Sequence, residues 1–403
     1  MEILPGKTIV VGVSGGIAAY KVPELVRQLR KAGAHVQVIM TRNAQEFVTP
    51  LTFQTVSNAP VITEMFAPLM TTEVAHISLA DKADLMVIAP ATANVIAKLA
   101  SGLADDFLST TVLATRSPVL VAPAMHVNMY MNLATQENIH TLEKRGFTLV
   151  GPEKGELACG WEGVGRMAEV DTIFHSITTI LAPKDLKGEK ILVTAGSTRE
   201  PIDPVRFISN RSSGKMGYAL AQAAQLRGAE VTLITGPTNI APPAEVVTIP
   251  VQTASQMFEE TIKRYKAMDT VIMAAAVSDF RPARISPKKI KKDQGSLTLS
   301  LIKNPDILEN MGREKGSTFL AGFAAETDDV LNNATKKVKA KSLDLMVAND
   351  VTKPGAGFEC DTNIVTLLTP DGKSEALPKL SKTQIAHKIL DKIVEIKSSR
   401  KVR

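Results

Sequence analysis

A strand, a glycine turn, a helix, a Gly-Ala stop and a second strand occur twice in this chain, and that repeat constrains the fold more than any other feature. Residues 8–13 (TIVVGV) read as a buried strand running into glycines. Tyr20 to Lys31 then places Val22, Leu25, Val26 and Leu29 on one helical face. Ala32-Gly33-Ala34 stops the helix, and His35 to Met40 is the next strand. Residues 190–235 repeat the plan: KILVT, a helix from Tyr218 to Arg227, the stop Gly228-Ala229, and VTLIT. A third strand recurs too, DLMVIA at 84–89 matching DTVIMA at 269–274.

The offsets between the copies locate an insertion. The first strands lie 182 residues apart (Ile9 to Ile191) and the stops 195 apart (Gly33 to Gly228), so the second copy carries 13 extra residues before its helix. The insert falls within about Ser197 to Arg211, STREPIDPVRFISNR. Insertions at the carboxyl end of a strand are where an α/β sheet binds ligands. Alternating strand and helix signals predict two doubly wound, mainly parallel α/β sheets. The polar segment Leu181–Glu189 joins them, which sets the domains at 1–184 and 185–403.

Composition narrows the class. The 403 residues are 44% hydrophobic and 22% charged, which excludes a disordered tail or a collagen-like repeat. Two cysteines, Cys159 and Cys360, exclude a disulfide framework or a cysteine-rich zinc cluster, and suit a reducing cytoplasm. The most apolar stretch, Leu85 to Ala104, is interrupted by Thr92, Asn94 and Lys98, so no membrane span is expected. The net charge of +6 comes from two acid-free patches, six basic residues in Arg281–Lys292 and four in Lys336–Lys341, on an otherwise mildly acidic body. Such patches suit a polyanion such as a nucleoside triphosphate. Nucleic acid is disfavoured, because aromatics are 4% and none interleave with Lys288, Lys289, Lys291 and Lys292.

In the first turn, GVSGGIAAYK, Gly15 and Gly16 let backbone amides approach a phosphate at a helix N-terminus. The spacing is neither the dinucleotide fingerprint nor a P-loop. The second strand ends Met40-Thr41-Arg42, without the acid that grips an NAD ribose. Arg42 leaves NADP open, while a mononucleotide such as FMN fits a single phosphate turn better. Pro90–Asn94 and Ala122–Met131 follow predicted strands and suit close contact with a flat ligand. His76 is one of only six histidines and an acid–base candidate. Cys159 and the only tryptophan, Trp161, lie in Gly151–Gly165, a glycine-rich segment that reads as a flap. In the second half, SNRSSGKMG (209–217) departs from a P-loop at Ser209 and Met216, yet its polar groups precede a helix N-terminus. Asp279 lies just beyond the third strand, where a carboxylate could hold a metal or a sugar, and Phe323, Lys337 and Lys341 follow.

These motifs, in this order, resemble the bacterial bifunctional phosphopantothenoylcysteine decarboxylase / phosphopantothenate–cysteine ligase family of coenzyme A biosynthesis. The resemblance rests on SGGIAAYK, HISL, PATANVIAKLASGLADD, PAM, LACG, GRM, VTAGSTREPIDPVRFISNRSSGKMG, AAAVSDFRP, KKIKK, NPDIL, GFAAET and VAND. It implies a flavodoxin-like FMN domain followed by a Rossmann-like ligase domain. In the first, FMN would oxidise the thiol-bearing carbon to a thioaldehyde, carbon dioxide would leave, and the electrons would return to the enethiol. In the second, CTP with Mg2+ or Mn2+ would activate 4′-phosphopantothenate as an acyl-cytidylate for attack by cysteine.

The resemblance also implies site residues. His76 would be the base and Cys159 the final proton donor. Ser14, Gly15, Gly16, Ile17, Thr41, Thr92, Ala93, Asn94, Ala124 and Met125 would hold FMN. Asn210 and Lys289 match key ligase positions. Gly196, Ser197, Arg206, Ser212 and Gly214 would bind substrate. Ala274, Ala275, Asp279, Lys289, Pro305, Asp306, Ile307, Leu308, Phe323, Lys337 and Lys341 would bind CTP, with Asp279 also meeting the metal. Where the family often reads Pro-Ala-Met-Asn, this chain has His126, so either His126 or Asn128 meets the substrate carboxylate. The family's assembly implies a homo-oligomer, trimeric decarboxylase units joined by dimeric ligase units.

Overall fold

The computed structural model describes residues 3–65, 75–156, 160–291, 297–326, 330–350, 357 and 360–401. The chain divides between Ala182 and Pro183 into two compact units. Among the described residues no helix is long and apolar enough to cross a membrane.

The first unit is a five-stranded sheet in the order His35–Met40, Thr8–Val13, Leu85–Ala91, Val119–Pro123, Thr148–Leu149. Every pairing in it is parallel. In chain order this is 2-1-3-4-5, the flavodoxin-like arrangement. Strand residues alternate between two cores, as a sheet covered on both faces requires. Ile9, Val11 and Val13 pack on one side with Leu25, Val26 and Leu29 of the Val22–Lys31 helix and Ile173 and Ile177 of the Val170–Leu181 helix. Val10, Met86 and Ile88 pack on the other with Ile96, Leu108 and Leu142. The helix predicted from Tyr20 begins differently: a 3-10 turn spans Ile17–Lys21, and the α-helix starts at Val22 with Pro23 in its first turn. A proline there loses no intrahelical bond, which lets the geometry change at that point.

The second unit is an eight-stranded sheet. Its parallel part runs Val247–Pro250, Glu230–Thr235, Lys190–Ala195, Thr270–Met273, Phe319–Glu326, Leu345–Asp350, the Rossmann order 3-2-1-4-5-6. Val365–Leu368 and Ser374–Ala376 extend it with antiparallel pairings. Ile191, Val193, Ala321 and Val347 face the helices Lys215–Leu226 and Lys382–Lys401. Leu192, Leu320 and Met346 face the helices Ala254–Arg264, Ile307–Arg313 and Val330–Ala340. The Lys215–Leu226 helix starts three residues before the predicted Tyr218, because Gly214 caps it in the left-handed region (φ 83°). The insertion forms a short hairpin of Arg199–Pro201 and Phe207–Ser209. A second hairpin pairs Phe280–Pro282 with Leu301–Lys303.

Candidate active sites

Each unit has a cavity where its strand order reverses, the place where doubly wound sheets bind ligands. In the first unit the reversal lies between Thr8–Val13 and Leu85–Ala91. Ser14, buried just past the first of these strands, ties them together. Its hydroxyl donates to the Pro90 carbonyl (2.6 Å) and accepts from the Thr92 amide (3.1 Å). Thr92 in turn caps the Ala93–Ser101 helix. The cavity there holds about 1280 Å³, and Ser14, Gly15, Gly16, Ile17, Thr41, Thr92, Ala93, Asn94, Ala124 and Met125 all line it.

The same wall carries residues that the motifs did not single out, among them Tyr20, Asn43, Lys98, Asp106 and Met129. Lys98 Nζ lies 2.6 Å from Asp105 and 2.9 Å from Asp106. Burial pushes the Asp106 carboxyl up, but the Ser109 amide and Lys98 outweigh it and hold it below its usual value. Asp106 also caps the Phe107–Ala114 helix through a reciprocal pair of bonds with Ser109. Both residues stand inside PATANVIAKLASGLADD, so the motif contained them while no spacing rule marked them.

His126 lines the cavity and Asn128 does not. His126 Nδ1 accepts the Asn128 amide at 3.1 Å and so caps the short Val127–Tyr130 helix. Its ring meets Trp161 edge to face, centroids 5.5 Å apart. Trp161 belongs to the predicted flap, which is a hairpin of Glu153–Glu156 and Glu162–Arg166. The base of the hairpin is fastened to the cavity by the Met125 amide, which donates to the Gly165 carbonyl at 3.0 Å. Cys159 lies outside the described residues. His76 sits on the Ala75–Lys82 helix with its ring edge-on to Phe107 at 6.2 Å, and it does not line this cavity.

The second cavity, of about 560 Å³, opens between Lys190–Ala195 and Thr270–Met273. Asn210, Ser212, Gly214, Ala274, Ala275, Asp279, Pro305, Asp306, Ile307, Leu308, Phe323, Lys337 and Lys341 line it. Asn210 Nδ2 donates to the Ala276 and Val277 carbonyls, both at 3.2 Å, which orients its side-chain oxygen. Lys341 pairs with Asp306 at 2.7 Å. Burial raises the Asp306 carboxyl, but Lys341 and the Glu309 amide leave it below its usual value. Ser278 is buried in the wall, and its hydroxyl has no hydrogen-bond partner among the described residues.

Four expected residues stand elsewhere. Lys289 is exposed and does not line the cavity. Arg206 donates to the Ile290 carbonyl at 3.0 Å and stands 3.8 Å from Asp203, so it braces the insertion against the basic loop. Burial pushes Asp203 up, yet the amides of Val205, Ile290 and Arg206 hold it below its usual value. Gly196 accepts the Ala276 amide at 2.9 Å, and Ser197 lines an adjoining groove with Asn210 and Ser212 rather than the main cavity. Lys215 and Lys382 line the cavity and were missed. Lys382 is far along the chain from every motif, and only the tertiary fold delivers it.

The family described as flavoprotein matches residues 2–182, and that of the DNA/pantothenate metabolism flavoprotein C-terminal domain matches 186–396. The coenzyme A biosynthesis bifunctional protein CoaBC of Vibrio parahaemolyticus is 48% identical over 98% of this chain and 100% of its own length. That of Bacillus subtilis is 48% identical over 98% of each chain, and that of Escherichia coli K12 is 47% identical over 97% of each. The two domain matches and this end-to-end likeness make the chain a member of the family of coenzyme A biosynthesis bifunctional proteins CoaBC.

Proposed function

We propose that the chain makes and then consumes one intermediate of coenzyme A biosynthesis. The unit Pro183–Arg403 joins 4′-phosphopantothenate to cysteine with CTP, through an acyl-cytidylate and with release of pyrophosphate. The unit Glu2–Ala182 removes carbon dioxide from 4′-phosphopantothenoylcysteine to give 4′-phosphopantetheine. The observation that carries this reading is a cavity at the switch point of each unit, the first lined by the glycine turn and the second cationic, in a chain that matches bifunctional relatives end to end.

The first cavity fits FMN. Gly15 passes so near Asn43 that a Cβ on it would stand 2.4 Å from the Asn43 Cβ, so only glycine lets this turn close against that residue in the cavity wall. The 3-10 turn that opens at Ile17 makes its first bond from the Ala19 amide to the Gly16 carbonyl at 2.9 Å, so the Ile17 and Ala18 amides ahead of it suit a phosphate. Bound there, FMN supplies a two-electron acceptor that is restored within each turnover. His126, with Nδ1 accepting an amide, keeps its neutral-ring proton on Nε2 and offers it to the substrate carboxylate. Cys159, which in sequence lies between the two flap strands, returns the last proton. His76 acts as base; since it stands away from its own chain's cavity, it serves one completed by a neighbouring subunit.

In the second unit Asn210 orients the substrate carboxylate toward the nucleotide, and Lys337, Lys341 and Lys289 meet CTP. Among the described residues no group of three or more His, Cys, Asp or Glu gathers to hold a metal. Asp279 alone suits Mg2+ or Mn2+ carried on the nucleotide phosphates, since such ions take one or two carboxylates and keep several waters. Exposed Phe207, Phe280 and Leu301 on the two hairpins suit a dimer of this unit, joined to trimers of the other in the cytoplasm. The purified protein is expected to show the absorption spectrum of an oxidised flavin, to release pyrophosphate from CTP only when 4′-phosphopantothenate is present, and to turn over continuously once cysteine is added. A colourless protein would favour the NADP reading instead.

A further inference from the structure

The basic loop that carries Lys289 is fastened to the insertion at two points. Over residues 283–290 only Ser286 and Ile290 are not exposed. The Ser286 amide donates to the Ile202 carbonyl at 2.9 Å. The Ile290 amide donates to Asp203 Oδ2 at 3.2 Å, and the Ile290 carbonyl accepts from Arg206 at 3.0 Å. Lys288 and Lys289 stand between these anchors, together with Pro287, whose ring fixes its backbone φ. The Ser286 hydroxyl tightens the span by donating to the Lys288 carbonyl at 2.6 Å. The two exposed lysines thus ride on a short arch, and both of its feet rest on residues 202–206.

Asp203 joins these distant segments. Its side chain is wholly buried, 0% exposed. Oδ1 accepts the Val205 and Arg206 amides, both at 2.8 Å, the local turn that aspartate or asparagine makes with its own chain. That turn uses one oxygen. The other reaches Ile290, 87 residues along the chain. A buried carboxylate needs hydrogen bonds to offset its lost hydration, and three amides supply them, with the Arg206 guanidinium 3.8 Å away. Asparagine could close the turn but not hold the loop. With its oxygen on Val205 and Arg206, it would aim an N–H donor at the Ile290 amide, which is also a donor. The loop, rather than the turn, therefore calls for an aspartate here.

We propose that Asp203 is a positioning residue of the ligase reaction, holding the arch of residues 286–290 so that Lys289 meets the nucleotide phosphates at a fixed place. The inference rests on the ligase role proposed above for Lys289. On an unpinned loop the same ammonium would reach a phosphate from many positions, and so would stabilise the charge that develops in the transition state less.

Pyrophosphate release by the full chain with CTP, 4′-phosphopantothenate and cysteine tests it, in wild type, Asp203→Asn, Lys289→Gln and the double variant, with circular dichroism and melting temperature reporting the fold. Asp203→Asn is expected to slow release about ten- to a hundredfold. Because Asp203 acts through Lys289, the double variant is expected to match Lys289→Gln alone within about twofold. Losses that multiply in the double variant would overturn the positioning role, and so would wild-type release by a folded Asp203→Asn. If Asp203→Asn fails to fold, Pro287→Gly takes its place in the same cycle, since it loosens the arch at an exposed position and removes no hydrogen-bond donor. Wild-type release by Lys289→Gln would instead overturn the role of Lys289, and the positioning role with it.

Discussion

The rings of His126 and Trp161 meet at 66° with their centroids 5.5 Å apart, which joins the substrate side of the first cavity to the flap. The edge-to-face contact contributes on the order of 0.5–1.5 kcal/mol beyond area burial. His126→Ala is therefore expected to lose both the carboxylate contact and the flap contact. KM for 4′-phosphopantothenoylcysteine should rise about tenfold or more, while His126→Asn, which can still donate, keeps most of the affinity. Because Trp161 is the only tryptophan, its emission reports the same contact directly. Unchanged emission and unchanged KM in His126→Ala would remove His126 from the site.

Gly165 is packed against the cavity wall. A Cβ there would lie 2.2 Å from the Met125 carbonyl oxygen, a backbone atom that has no room to yield. Gly165→Ala should displace the Met125 segment at a cost of about 1–3 kcal/mol, and so weaken flavin affinity by roughly one to two orders of magnitude and lower the flavin retained on purification. CTP-dependent pyrophosphate release, carried by the other unit, should stay at the wild-type rate. Full flavin content in the variant would show that the flap base and the flavin site are independent.

Lys289 is exposed in the basic loop, between Asp203-bonded Ile290 and Lys288. Its proposed contact with the nucleotide phosphates needs the loaded enzyme. Lys289→Gln keeps reach and hydrogen bonding but removes the charge, and is expected to slow pyrophosphate release by about two to three orders of magnitude. Decarboxylation should be unaffected. An unchanged ligase rate would place Lys289 on the solvated surface.

His387 is buried in the second unit beside Arg227, whose guanidinium bonds Asp185, Asp391 and the His387 carbonyl. Burial, with Arg227 adding, pushes its pKa down to about 4 from the ordinary 6.5. The folded state therefore keeps His387 neutral where the unfolded chain already protonates, so stability is present above pH 6.5 and lost as pH falls toward 4. The full effect is about 3 kcal/mol. Hydrogen-exchange protection of the Lys382–Lys401 helix should fall over that window in wild type and change less in His387→Gln. Equal pH slopes in the two proteins would refute the assignment.

The repeat was legible because strand and helix periodicities survive duplication, and both switch points follow from it. The glycine turn at Gly15-Gly16 and the loop at Pro90–Asn94 could be placed because each sits at a strand end, where side chains and cavity share one edge. Lys98 and Asp106 were hidden by their bland context, a lysine in a helix and an acid that reads as a helix cap. Lys382 was invisible because its value comes from the Lys382–Lys401 helix packing on Lys215–Leu226, a contact that no local pattern encodes. Arg206 shows what sequence position alone leaves out. It sits in the insertion that marks the site, but its guanidinium is spent bracing the loop at Ile290.

The most direct test of the account is the product formed when the purified full chain receives CTP, Mg2+, cysteine and 4′-phosphopantothenate together, read by mass spectrometry. The account predicts 4′-phosphopantetheine, with one pyrophosphate and one carbon dioxide released per product and no product when CTP is left out. Accumulation of neither 4′-phosphopantothenoylcysteine nor 4′-phosphopantetheine, from a protein that carries flavin and is folded, would contradict it.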